Sequence, residues 1–318
     1  MSPPSLPAIA RSKSAPALRG QPDWIRLIRA VHSRWATYAQ CLADLRSERL
    51  TEKAVHDYRV ASQRLAAALR VCAHAIPAPE SRRFRRRIRR RFERFRRLRD
   101  VQVMQQRLAP VAAQAAVIGR LQRRLAREAA DRQRKILPQL RKGPKDSERA
   151  QIAAILWGLR SVARGSVHKR VKVLLRARLA SAQACVMRRS TRIVPTDLAT
   201  LHRLRIAIKR ARYLLELVAA AGEAPWARTA YRAARGWQDV LGKCQDLHVL
   251  AAELATLQSK HPADLAALRR LRTRIATELD RNTRTFLRRR HALDVFVRQI
   301  LPPGQPGPEM GRTLRETA

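Results

Sequence analysis

Residues 55–65 read VHDYRVASQRL and residues 201–211 read LHRLRIAIKRA. The stretches align without a gap at an offset of 146: His56 with His202, Arg59 with Arg205, Val60 with Ile206, Ala61 with Ala207 and Arg64 with Arg210. The same offset carries RDVQV (99–103) onto QDLHV (245–249), setting Asp100 against Asp246. Histidine and aspartate are therefore 44 residues apart in both places. Separated blocks that agree in residue type and spacing point to a tandem duplication. The offset also pairs Arg82 with Arg228, Arg86 with Arg232, Arg89 with Arg235 and Arg97 with Lys243. These pairs weigh less, because 68 of 318 residues are basic and several matches arise by chance.

Both blocks lie in helical text. Eleven Gly in an Ala/Leu/Arg-rich chain disfavour a β-rich or dinucleotide-binding fold and favour an all-α one. Apolar spacing predicts helices over 24–48 and 51–75, with Thr51 as N-cap and Pro77 after the stop. A third runs over about 79–106, on a stripe of Phe84, Ile88, Phe92, Phe95 and Leu98. A fourth follows Pro110 to about 140, and Gly143–Pro144 marks a break. The second set begins with a long helix over about 148–192, interrupted near Gly165. Helices near 197–221, 226–258 and 263–300 complete it. The expected architecture is two tandem, duplicated antiparallel bundles of about four helices each, over about 23–143 and 147–301. Together they form one domain of 23–301, between a Pro/Ser-rich tail (1–22) and a second loose tail (302–318).

The net charge is +44, and 58 of the 68 basic residues are Arg. Such a charge on a folded body repels itself and invites a polyanion. Nucleic acid, an anionic membrane surface and inorganic polyphosphate all satisfy that requirement. Aromatics at 4% argue against a stacking platform for single strands. No apolar run reaches the roughly 20 residues of a membrane span. Cys41, Cys72, Cys185 and Cys244 form no CxxC pair and read as reduced core thiols, without a metal. Residues 1–20 lack the apolar centre of a signal peptide, so a cytoplasmic location is expected.

Each residue turns an α-helix by about 100°, so His202, Arg205, Lys209 and Arg212 fall within an arc of roughly 80°. Leu201, Leu204, Ile208 and Leu215 point elsewhere, toward a core. The first ridge carries His56, Arg59 and Arg70 but has Gln63 and Ala66 where Lys209 and Arg212 stand. An Arg fork grips two phosphate oxygens, a Lys supplies a mobile point charge, and a His gains charge beside phosphates. The bland alternative is a solvated charged face. Asp100 and Asp246 read as structural carboxylates that tie an Arg or a helix end. Residues 82–99 hold twelve Arg in eighteen, an amphipathic helix whose polar surface is nearly all guanidinium and which also suits nucleic acid or lipid. No GxxxxGKS/T, HExxH or GxSxG occurs, and no carboxylate cluster suggests Mg²⁺-dependent phosphoryl transfer. No catalytic residue, metal site or cofactor is expected.

The duplicated HxxR helices and the later R/Q-D-x-x-V elements resemble the CHAD family, named for a conserved histidine α-helical domain. The second copy, LHRLRIAIKRARYLLELV followed by WQDVLGKCQDLHVL, resembles the family pattern most; the first departs from it at Gln63 and Ala66. It also has Arg96 where the second has Gly242. The resemblance spans roughly residues 24–300. It implies two bundles related by a pseudo-twofold axis, and a basic centre that binds inorganic polyphosphate, in many members at polyphosphate granules. It implies His56, Arg59, Arg64, His202, Arg205, Lys209, Arg210 and Arg212 as contacts, and the first ridge adds Arg70. Arg86, Arg89, Arg232 and Arg235 follow from the repeat alignment. No ExExK motif of a CYTH-type partner domain is present, so a stand-alone, non-enzymatic binder is expected. A non-specific nucleic-acid-binding protein is the alternative.

Overall fold

Phe84, Ile88, Phe95 and Leu98 of the expected stripe are buried and Phe92 is half-buried, while Arg86, Arg89, Arg90, Arg94 and Arg96 between them are exposed. This division of apolar from charged faces builds the whole molecule. The computed structural model describes residues 23–47, 50–75, 79–140, 146–163, 167–221 and 225–301. The expected tails, the Gly143–Pro144 break and Gly165 lie outside the described residues.

Among the described residues there are eleven α-helices and no strand. They are α1 (Asp23–Ser47), α2 (Glu52–Ala75), α3 (Pro79–Arg94), α4 (Arg96–Leu108), α5 (Ala116–Leu140), α6 (Asp146–Ala163), α7 (Val167–Ser190), α8 (Leu198–Ala221), α9 (Pro225–Ala255), α10 (Pro262–Arg288) and α11 (Arg290–Ile300). A 3-10 turn, Ala109–Gln114, leads into α5. Each of the eight expected segments falls on helix, and three are divided. The third breaks at Phe95, whose N–H reaches back only three residues to the Phe92 carbonyl, at 3.2 Å. The stripe steps by three across 92–95–98, which is the 3-10 spacing, so the tightening keeps Phe95 and Leu98 on the buried side. The last divides at Arg289, whose N–H also turns back to Phe286.

Three helix starts repeat at the offset of 146: Glu52 with Leu198, Pro79 with Pro225, and Ala116 with Pro262. The packing repeats too. α2 lies against α1 as α8 lies against α7; α5 lies on α4 as α10 lies on α9. α6 packs on α1 and α3, and α11 packs on α7 and α9. By contact, then, α6 joins the first set, whereas the sequence reading opened the second set at about 147. This arrangement fits an internal duplication. α1 and α2 cross α8, α2 meets α7, and α4 meets α9, so one continuous apolar core runs through both sets.

Ion pairs fasten the assembly where charge is buried. Glu148 of α6 has no solvent exposure and accepts from Arg91 of α3 at 2.9 Å, while Arg91 also donates to the Tyr38 hydroxyl at 3.1 Å. Arg97 of α4 grips both oxygens of Glu128 on α5, at 2.8 and 2.9 Å, and reaches Glu253 on α9 at 3.3 Å.

Candidate functional site

The two histidine ridges project from α2 and α8, which meet at the junction of the two sets. The packing brings cations from both ridges together. Lys209 is flanked by Arg205 and Arg212 on its own helix and by Arg59 from α2. Burial comes first among the causes that push its ammonium down to about 7, and the three guanidinium charges add to it. No carboxylate lies within ion-pair distance of Lys209, Arg205 or Arg212 among the described residues. The Nε atoms of Arg205 and Arg212 are buried without a hydrogen-bond partner. Buried N–H groups of a cation, left unpaired, call for an acceptor.

Aromatic faces hold two of these guanidiniums in place. Arg59 lies 4.1 Å over the ring of Phe92, and Arg212 lies 4.6 Å over Tyr213 and 5.9 Å over Tyr231. Burial, outweighing the nearby Asp100 carboxylate, lowers Arg59 to about 10. Asp100 stands beside Arg59 and Asp246 stands beside Arg205, again at the offset of 146. Both carboxyls are raised by burial despite these neighbours. Asp100 thus acts on the arginine of its own HxxR turn, whereas Asp246 acts first on Arg107 of α4, at 3.7 Å, and then on Arg205.

His56 lies at the open start of α2, and burial, then Arg99, holds its pKa below the usual histidine value. Lys209 acts on it as well. His202 shares a hydrogen bond between Nδ1 and Gln245 Oε1, and its pKa is also lowered, chiefly by burial. Gln63 does not supply a cation; its Oε1 accepts from the Tyr213 hydroxyl at 2.9 Å, which links α2 to α8.

Other expected contacts stand elsewhere. Arg64 is engaged with Glu216 at 2.8 Å, a half-buried pair joining α2 and α8. Arg70 and Arg210 face each other beyond the Lys209 group. Arg86, Arg89, Arg232 and Arg235 are exposed on α3 and α9, outside the set of charges that act on Lys209. Arg96 and Arg99 of α4 were not anticipated. Arg96 acts on Arg59 and His202, and Arg99 acts on His56 and Asp246. A signal existed, since Arg99 immediately precedes Asp100 in the RDVQV element. Gly242 sits where the first set has Arg96; a Cβ there would lie 3.9 Å from Arg205 Nε. A longer side chain would compete with that guanidinium for space.

Among the described residues no three His, Cys, Asp or Glu side chains are gathered to hold a metal ion. No described helix is long and apolar enough to cross a membrane.

A family model described as the CHAD domain matches residues 29–255. No curated protein matches the sequence. Among solved structures, the CHAD domain from the plant Ricinus communis superposes with a TM-score of 0.61 at 19% identity, over 87% of this chain and 91% of that one. PptA from Streptomyces chartreusis superposes with a TM-score of 0.53 at 13% identity, over 88% of this chain and 99% of that one. At such identities the likeness is one of fold.

Proposed function

The chain belongs to the CHAD domain family, which is linked to polyphosphate, and from that premise we propose that it binds inorganic polyphosphate across the junction of its two helical sets. The observation that carries this reading is the Lys209 group: one ammonium among Arg59, Arg205 and Arg212, with no paired carboxylate. Successive phosphates of one chain are spaced for several cations at once. Arg205 and Arg212 present unpaired Nε–H groups, Arg59 reaches in from the first set, and Lys209 supplies a compact charge. His56 and His202 flank this group and gain a proton when a polyanion arrives. A groove of one sign focuses its field and speeds capture of a long anion.

The role is binding, in the cytoplasm and at polyphosphate granules, without turnover. Incubation with polyphosphate and divalent cations should release no orthophosphate. The second reading, duplex nucleic acid, draws on the exposed row Arg82, Arg83, Arg86, Arg89, Arg90 and Arg94 along α3. Competition separates the two. Labelled long-chain polyphosphate is bound near physiological salt and challenged with duplex DNA at equal phosphate concentration. Poor competition by DNA supports polyphosphate as the ligand; equal or better competition assigns the basic surface to nucleic acid.

A further inference from the structure

Between α1, α2 and α8 lies a cavity of about 200 Å³. Ser33, Arg34 and Thr37 of α1, Ala61 and Arg64 of α2, and Glu216 of α8 line it. Ser33 and Thr37 are exposed and mark its mouth, while Arg34 and Ala61 are buried behind them. Arg34 is only 8% exposed, yet its Nη1 and Nη2 have no hydrogen-bond partner. No carboxylate lies within ion-pair distance of it among the described residues. Glu216, the acid in the cavity wall, is taken by Arg64 at 2.8 Å. Burial lowers Arg34 to about 10, which leaves it charged at neutral pH. A buried guanidinium that ends without an acceptor is costly, and a polar cavity beside it gives an acceptor room.

The charges that line the cavity, Arg34, Arg64 and Glu216, sum to +1. One monoanion neutralises them, whereas a phosphate dianion overshoots and faces Glu216. Space of this order takes a molecule of about six non-hydrogen atoms. We infer that the cavity binds a small monocarboxylate, its two oxygens on the Arg34 fork and its short carbon chain against Ala61. A small rotation of the guanidinium turns the fork into the cavity. A planar carboxylate matches two parallel N–H donors. Glu216 lies two helical turns beyond Lys209, about 10 Å along α8. The acid belongs to one half alone, since Arg70 stands opposite Glu216 at the offset of 146. The site is therefore no copy of the duplicated HxxR ridges, and it does not rest on the polyphosphate reading.

The test uses the full-length chain and propionate labelled with carbon-13 at its carboxyl, whose resonance broadens when the ligand exchanges with a large protein. Near physiological salt the chain should broaden this line, and unlabelled acetate should reverse the broadening. Arg34→Met keeps a long side chain and removes the fork; it should weaken binding about tenfold or more. Thr37→Trp closes the mouth from an exposed position and should do the same. Arg29→Met, at an exposed position of α1, removes one charge and should leave binding intact. Loss of propionate binding in R205A/K209A assigns the ligand to the central group and overturns the inference. Equal losses in Arg29→Met and Arg34→Met overturn it too, as does an unaltered chain that leaves the line narrow. Displacement by orthophosphate at lower concentration than by acetate gives the cavity to phosphate and also refutes the proposal. Should Arg34→Met fail to fold, Thr37→Trp decides: loss of binding supports the site and retention refutes it.

Discussion

If the chain binds polyphosphate as proposed, binding turns on Lys209, because its charge is conditional. Burial and the charges of Arg205, Arg59 and Arg212 bring its pKa to about 7. His56 faces it from α2, and no carboxylate pairs with it. A bound polyanion reverses the like-charge penalty, so binding takes up a proton. Polyphosphate affinity should therefore rise as pH falls from about 9 toward 7, and flatten below it until the histidines titrate. Stability of the empty protein runs the opposite way. The unfolded chain holds this proton up to 10.5 and the folded chain only to about 7, so acidification through that window destabilises the empty protein. Lys209→Arg, which stays charged, should flatten the affinity profile; calorimetry in buffers of different ionisation heat checks the proton uptake. Arg64 makes the contrasting case. Its pairing with Glu216 predicts that Arg64→Ala lowers stability, by about 1 kcal/mol for a half-exposed pair, while polyphosphate affinity changes little. The HxxR repeat made Arg59, Arg205 and the two histidines legible as one group. The engagement of Arg64 was not, because its partner lies 152 residues away and only the crossing of α2 and α8 brings it near.

Helices were legible because apolar spacing and Pro/Gly punctuation act locally. Breaks within them were less so, since a tightened turn such as Phe95 leaves only a change of step in the stripe. The place of α6 was not legible at all: nothing near residue 148 announces that Glu148 will be sealed against Arg91 and Tyr38. That buried contact holds α6 to α3. Glu148→Ala leaves Arg91 without its carboxylate and should cost about 3 kcal/mol, read as a lower urea midpoint with unchanged slope. Tyr38→Phe keeps the ring and removes only one acceptor, so its cost should be about 1 kcal/mol. Equal losses from the two would show that packing of α6, rather than the ion pair, fastens the helix.

Across the whole molecule, 24 acidic residues stand against 68 basic ones. Several of the acids are spent at seams. Glu128 and Glu253 join α4, α5 and α9 through Arg97, and Glu253 also meets Arg124. Asp246 and Glu278 meet Arg107 at 3.7 Å each, and Asp264 at the start of α10 meets Arg120 of α5 at 2.5 Å. The carboxylates join the two sets, and among the described residues none stands within ion-pair distance of Lys209, Arg205 or Arg212. A total charge of +44 was plain from composition; which part of it is focused was not, because focusing depends on where the few acids are placed. Affinity for polyphosphate should fall steeply and linearly in a plot of log K against log salt, as counterion release requires. Generic charge would produce that slope as well, so one comparison bears most directly on the central claim. Polyphosphate binding is measured for R205A/K209A and for R82A/R83A, two variants that each remove two positive charges. A focused site predicts that R205A/K209A loses at least tenfold more affinity than R82A/R83A, whereas equal losses would contradict it and leave only a diffuse basic surface.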